Sequence, residues 1–278
     1  MQIESIEIRN YRVFKEATLA QLPRLAVLVG ENGAGKSTLF DIFSFLKDAL
    51  AQNVAKAVAK RGGFKELVSR GADGPISITL KFRETGGRLA TYELSVASEN
   101  GVVVVDREVL KFRRGQRGQP WHFVDFSRGK GTAITNEAMY GAPGAKMQRK
   151  EYILDEPTVL AIKGLGQFKE FRVVSEFRNL IENWHISDFH IADARPSAKE
   201  GYTGHLSTRG DNVAQVFIST HSPEFLDEVS LDEIYWLSKK DGFATIYRGS
   251  DSDILNRLVA EGDVPGALWR QGVFTGAW

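Results

Sequence analysis

The stretch "GENGAGKS", Gly30 to Ser37, constrains this chain more than any other segment. It matches the pattern G-x-x-x-x-G-K-[ST], and its flanks read as the pattern requires. "RLAVLV", Arg24 to Val29, is a short apolar run that reads as a buried strand. After the glycines, Leu39, Ile42, Phe43, Leu46 and Leu50 recur at helical spacing and predict one apolar helix face. A strand, a glycine loop and a helix in that order make a cradle for phosphate. Gly30, Gly33 and Gly35 let the backbone curl until several N–H groups converge on one anion at the positive end of the helix. Lys36 adds a mobile cation for the β and γ phosphates, and Ser37 an oxygen ligand for Mg²⁺. The expected nucleotide-binding set is Gly30, Asn32, Gly33, Ala34, Gly35, Lys36, Ser37 and Thr38, with Thr38 supporting the α-phosphate. The sequence contains no N-K-x-D stretch for guanine, so the expected ligands are ATP and Mg²⁺.

Composition narrows the remaining classes. A chain of 278 residues with 42% hydrophobic and 26% charged residues has the make-up of a folded soluble domain. Lys+Arg 36 against Asp+Glu 35 gives a net charge of +1, which provides no long-range attraction to nucleic acid or anionic lipid. With Cys 0, disulfides, thiolate metal sites and cysteine nucleophiles are excluded. The N-terminal "MQIESIEIRNYR" lacks a signal-peptide core, and no apolar run approaches the roughly 20 residues that span a bilayer. The expected location is cytoplasmic, with no membrane partner.

Four segments follow from texture. Residues 1–74 carry the N-terminal part of the core with the phosphate loop. Residues 75–150 form a β-rich lobe, "ISITLKF", "LATYELSV", "VVVVDREVLKF" and "WHFVDF", followed by a Gly-rich mobile loop from Ser127 to Lys150. Residues 151–215 are a helical or linker segment, with an amphipathic helix between Phe168 and Trp184 and a strand-like "FHIADAR" after it. Residues 216–278 complete the core: a strand in "QVFISTHS", a proline-started helix "PEFLDEV", and a closing hairpin of "EIYWLS" and "FATIYR" around "KKDG".

Three pieces, "IESIEIRNYRVFKEATL", "LVGENGAGKSTLFDIFSFL" and "VFISTHSPEFLDEV", carry a resemblance. The chain resembles ABC-type AAA ATPases related to the RecF, OLD and SMC proteins, and within them the stand-alone ATPases of bacterial defence and repair loci. The resemblance implies an α/β fold, a P-loop core with an antiparallel β lobe forming an ABC/SMC-like head. It implies that Arg12 and Phe14 of "NYRVF" lie near the adenine; the competing reading is a β-hairpin with Phe14 as a core aromatic and Arg12 as a surface residue. It implies that His221 of "STHSPEF" is the switch histidine, delivered by an apolar strand to a carboxyl edge where such sheets bind ligands. His122, His185, His190 and His205 show no metal-ligand spacing.

The same resemblance raises the question of a Walker B strand, the segment carrying the Mg-associated Asp and catalytic Glu. "YILDEPT", Tyr152 to Thr158, has the look of one. Yet Asp155 lies 66 residues before His221, where a strand and helix with their turns take about 20–35. It also lacks the apolar run of a central strand. We expect Asp155 and Glu156 to lie in a turn or helix start of the second lobe. In the family, a helical lid bearing a signature motif and Walker B stands between a segment like "STRGDNVAQV" and the histidine strand. Here "GDNVAQ" runs directly into "VFISTHS", so the lid is expected to be missing at Gln215–Val216.

These readings lead to an ATP-driven switch that closes as a head-to-head homodimer and controls a nuclease-like, nucleic-acid-directed effector in anti-phage defence or DNA repair. The alternative is a non-hydrolysing nucleotide sensor or scaffold. Direct nucleic-acid contact by "KFRRGQRG", with Lys111, Arg113, Arg114 and Arg117 beside Phe112 and Trp121, stays open against a plain solvated hairpin tip.

Overall fold

A computed structural model describes residues 2–83, 87–112, 121–136, 147–184 and 215–274. Two sheets organise them. The larger has eight strands in the order β2-β1-β4-β5-β6-β7-β8-β9. Its members are β1 (Gln2–Tyr11), β2 (Phe14–Leu19), β4 (Ile76–Arg83), β5 (Leu89–Glu99), β6 (Val102–Phe112), β7 (Trp121–Ser127), β8 (Lys130–Ile134) and β9 (Arg149–Ile153). All neighbours run antiparallel, so the β lobe foreseen from the alternating runs is present. Along β4 and β5 alternate residues are buried, Ile76, Ile78, Leu80 and Phe82 with Ala90, Tyr92, Leu94 and Val96, the period of a sheet with one face in the core.

That buried face is covered by helices α1 (Lys36–Ala51), α2 (Val54–Ala59), α4 (Ala161–Leu165) and α5 (Arg172–Glu182), with the single turn α3 (Phe64–Leu67) beside them. The predicted helix between Phe168 and Trp184 is α5, which buries Val174, Phe177 and Ile181. Phe177 stacks on Phe82 at 4.5 Å between ring centroids and tilts against Tyr92 at 4.7 Å.

The second sheet has the order β10-β3-β11-β12. β3 (Leu25–Gly30) lies between β10 (Val216–Ser219) and β11 (Ile234–Lys240), parallel to both, and β12 (Phe243–Arg248) closes the hairpin with β11. Ala26 and Leu28 join the core that holds α1, whereas Val27 and Val29 pack toward α6 (Pro223–Asp227), α7 (Asp253–Ala260) and α8 (Pro265–Arg270). Burial on both faces explains why "LAVLV" is apolar without alternation.

The structure differs from the sequence reading in two places. Ser127–Lys150 is not simply a loop: β8 lies inside it and β9 begins at Arg149. The boundary at residue 75 falls within one sheet, because β1 of the N-terminal segment pairs with β4 of the β lobe, Ile8 opposite Ile78. An N-terminal hairpin next to a P-loop in sequence need not share its sheet. "FHIADAR", "GDNVA", His185, His190, His205, Arg113, Arg114 and Arg117 lie outside the described residues.

Candidate nucleotide site

The phosphate loop leaves β3 at its carboxyl end and enters α1 at Lys36, as its sequence predicted. Gly30, Gly33 and Gly35 have φ of 154°, 80° and 112°. Gly35 is the residue before the first helical turn, and its carbonyl oxygen accepts from Leu39 N at 3.0 Å. Close approach requires glycine at two of these positions. A Cβ on Gly30 would stand 2.6 Å from the carbonyl oxygen of Leu237, on the neighbouring strand β11. A Cβ on Gly35 would stand 3.0 Å from Val13 Cγ2 and 3.3 Å from both Ala244 Cβ and Phe14 Cζ.

Within the loop, Ala34 is buried and its N–H donates to Glu31 O at 3.1 Å. Asn32, Gly33 and Ser37 are exposed, and Thr38 is half-buried. Asn32, Gly33 and Ser37 thus form the open face of the loop, where a polyphosphate would meet backbone N–H groups and its Mg²⁺ the Ser37 hydroxyl oxygen. Lys36 is 8% exposed, and its Nζ donates to Gly30 O at 2.6 Å and Glu31 O at 3.0 Å. Burial lowers the pKa of its ammonium. A cation held over the mouth of the loop by two carbonyls is ready to exchange them for phosphate oxygens.

β10 brings the second element. Ser219 pairs with Leu28, and Thr220 N donates to Leu28 O at 3.1 Å, so His221 emerges beside the end of β3. His221 is largely exposed, and partial desolvation, then the charge of Lys36, lower the pKa of its imidazole. The start of α6 turns the chain away: the Ser222 hydroxyl accepts from Phe225 N at 3.3 Å, and Pro223 takes the first turn.

The β1–β2 turn supplies the third wall. Ala244 N of β12 donates to Val13 O at 2.8 Å, which locks this turn against the nucleotide sheet. Arg12, at φ 49°, donates its N–H to Leu67 O at 2.7 Å and places its guanidinium 3.2 Å from Asp41 on α1. Phe14 is fully buried, so the core reading of this aromatic prevails and no ring face remains for stacking on a base. Val13, half-buried at the tip of the turn, is the side chain that faces the loop instead. Asp41 also accepts from Tyr11 Oη at 2.9 Å and Arg61 Nε at 2.8 Å. Nothing in the sequence motif announced Asp41; only its place on α1, one turn beyond Ser37, hinted at a position near the loop.

The "YILDEPT" segment lies elsewhere. Ile153 ends β9, the strand at the edge of the large sheet opposite β2, and Asp155 and Glu156 follow in an exposed turn. Glu156 accepts from the Thr158 hydroxyl at 2.9 Å, while Pro157 O accepts from Val105 N at 2.8 Å. This turn fastens the β lobe to α2, through Val54 N and Thr158 O at 2.9 Å. Among the described residues, the strands β3, β10, β11 and β12 bear no Asp or Glu, and no group of three or more His, Asp and Glu is arranged to hold a metal. His122 pairs with Asp125 at 2.8 Å, on the large sheet.

A parallel strand, a glycine nest, a buried lysine and a helix N-terminus define a P-loop nucleotide-binding α/β protein. The chain belongs to the AAA ATPase domain family, whose model matches residues 1–154. It is 28% identical over 74 residues to the DNA replication and repair protein RecF of Idiomarina loihiensis; the match takes in 27% of this chain and 19% of that protein. The chain thus matches about a fifth of the length of this curated relative. Among solved structures it is similar to an SMC head bound to the C-winged helix domain of ScpA, at 12% identity, covering 89% of this chain and 98% of that one, with a TM-score of 0.41. Among the described residues no helix is long and apolar enough to cross a membrane.

Proposed function

We propose that the chain binds Mg-ATP on the loop Gly30–Thr38 and works as an ATP-driven switch, closing head to head with a second copy and controlling a nucleic-acid-directed, nuclease-like effector in anti-phage defence or DNA repair. The observation that carries the reading is the conjunction of the glycine nest, the carbonyl-held Lys36 and His221 just beyond the end of the adjacent strand β10. Arg12, ion-paired with Asp41 at 3.2 Å, would contact the nucleotide once released from that carboxylate. Family membership and the partial likeness to a replication and repair protein support the nucleic-acid direction.

A second reading is favoured by a specific observation. Hydrolysis needs a carboxylate to orient water, and the four strands around the loop carry none among the described residues. A chain of this kind would sense nucleotide without consuming it. Calorimetric titration with Mg-ATP and Mg-ADP, followed by a steady-state phosphate-release assay, separates the readings. Binding with turnover supports the switch, binding without turnover supports the sensor, and no binding of either nucleotide overturns both.

A further inference from the structure

Glu108, on β6, is a fully buried carboxylate in a core otherwise made of aromatic and aliphatic side chains. Isolated carboxylates are rarely placed there unless hydrogen bonds hold them. Three donors surround this one. Oε1 accepts from Tyr92 Oη at 3.0 Å and from Ile162 N at 3.1 Å, and Oε2 accepts from Ala161 N. Ala161 and Ile162 open α4, so Glu108 caps the start of that helix across 53 residues of chain. Tyr92, on β5, packs in turn against Phe177 of α5 at 4.7 Å between ring centroids.

The other end of the connection is on α1. Lys163, the third residue of α4, donates from Nζ to Ala51 O at 2.9 Å and to Gln52 O at 2.6 Å. Ala51 is the last residue of α1, and Gln52 follows it. These are carbonyls that a helix end leaves unpaired, and a cation there also suits the helix dipole. α1 begins at Lys36, so one short helix joins the buried carboxylate of the β lobe to the far end of the helix that forms the phosphate nest. A 16-residue helix is about 24 Å long, and a pivot of about 5° at one end displaces the other by roughly 2 Å.

We infer that Glu108 is a positioning residue for the nucleotide site: through α4 and Lys163 it fixes the seat of α1, so that movement of the β lobe and occupancy of the phosphate loop are coupled. The coupling depends on the nucleotide-binding reading for its affinity readout only. Its mechanical part stands on α4 and α1.

The test compares wild type, Glu108→Gln, Lys163→Met and the double variant at about pH 8, where the Glu108 carboxylate is ionised. Hydrogen exchange of the Ala161 and Ile162 amides and of the last turn of α1 is measured alongside Mg-ATP affinity. Gln puts an NH₂ where an N–H donor needs an acceptor. The expected result for Glu108→Gln is faster exchange at both places and an affinity lower by about fivefold or more, a typical size for coupling between sites. Lys163→Met should reproduce the α1 and affinity effects while sparing Ala161 and Ile162. The double variant should lose little more than either single one, since both act on one path. Should Glu108→Gln fail to fold, Lys163→Met alone decides. Unchanged exchange in the last turn of α1 in either folded variant overturns the coupling, whether or not ATP binds. Unchanged affinity in a wild-type-like background that does bind ATP overturns it as well. Loss of ATP binding in wild type would sink the nucleotide reading and leave the exchange result to decide the coupling.

Discussion

The ammonium of Lys36 rests 2.6 Å from the carbonyl oxygen of Gly30, the residue that ends β3 and begins the phosphate loop. The same backbone that shapes the anion nest therefore stores its cation. In Lys36→Ala, Gly30 O and Glu31 O lose this donor, and the loop loses its positive charge. A charge-assisted hydrogen bond contributes about 1.5–3 kcal/mol, so Mg-ATP affinity should fall by roughly 10- to 100-fold. Calorimetry on a folded variant checks this, and undiminished affinity would remove the loop from the site.

His221→Ala should slow turnover more than it weakens binding. The imidazole feels the Lys36 charge, whereas the nest is built from backbone. Burial and Lys36 push its pKa below the ordinary histidine value, so the ring is neutral at neutral pH. Any hydrolysis that uses the neutral ring should persist at neutral pH and decline only below that lowered pKa. Phosphate release measured across pH, for wild type and variant, reads both points; an equal loss of ATP and ADP affinity would make the histidine structural.

Glu156→Gln should change neither ATP affinity nor turnover by more than a few-fold. The residue lies in an exposed turn beyond β9 and accepts a hydrogen bond from Thr158, away from the nucleotide sheet. A trapped-ATP dimer in this variant would contradict the placement.

Burial raises the Glu108 carboxyl to about 7, against the opposing pull of the Ala161 and Ile162 amides and the Tyr92 hydroxyl. Its folded pKa thus exceeds the unfolded value, and the stability it contributes is full below the unfolded pKa and lost as pH rises through about 7. Urea unfolding of wild type should show a decline between about pH 4.5 and 7 that Glu108→Gln flattens. Tyr92→Phe, which keeps the carboxyl, should retain the slope; equal slopes in wild type and Glu108→Gln would place the titration elsewhere.

What the sequence determined by itself is what neighbouring residues dictate. The phosphate loop was legible because its glycines, lysine and flanking apolar runs act within a few residues of one another, where backbone sterics and helix geometry leave few choices. The β lobe and α5 were legible from periods of two and of three to four. β8 and β9 were not, since "KGTAI" and "RKEYI" carry turn-like and charged residues and gain their strand state from pairing with β7 and with each other. Tertiary structure alone decided that β1 joins β4 and that Arg12 meets Asp41, and it settled between the two readings of Phe14 in favour of the core. It alone brought Glu108 to the start of α4. These pairings join groups far apart in the chain, and which of several possible partners each group takes depends on how whole layers bury their apolar faces, a quantity no short window contains.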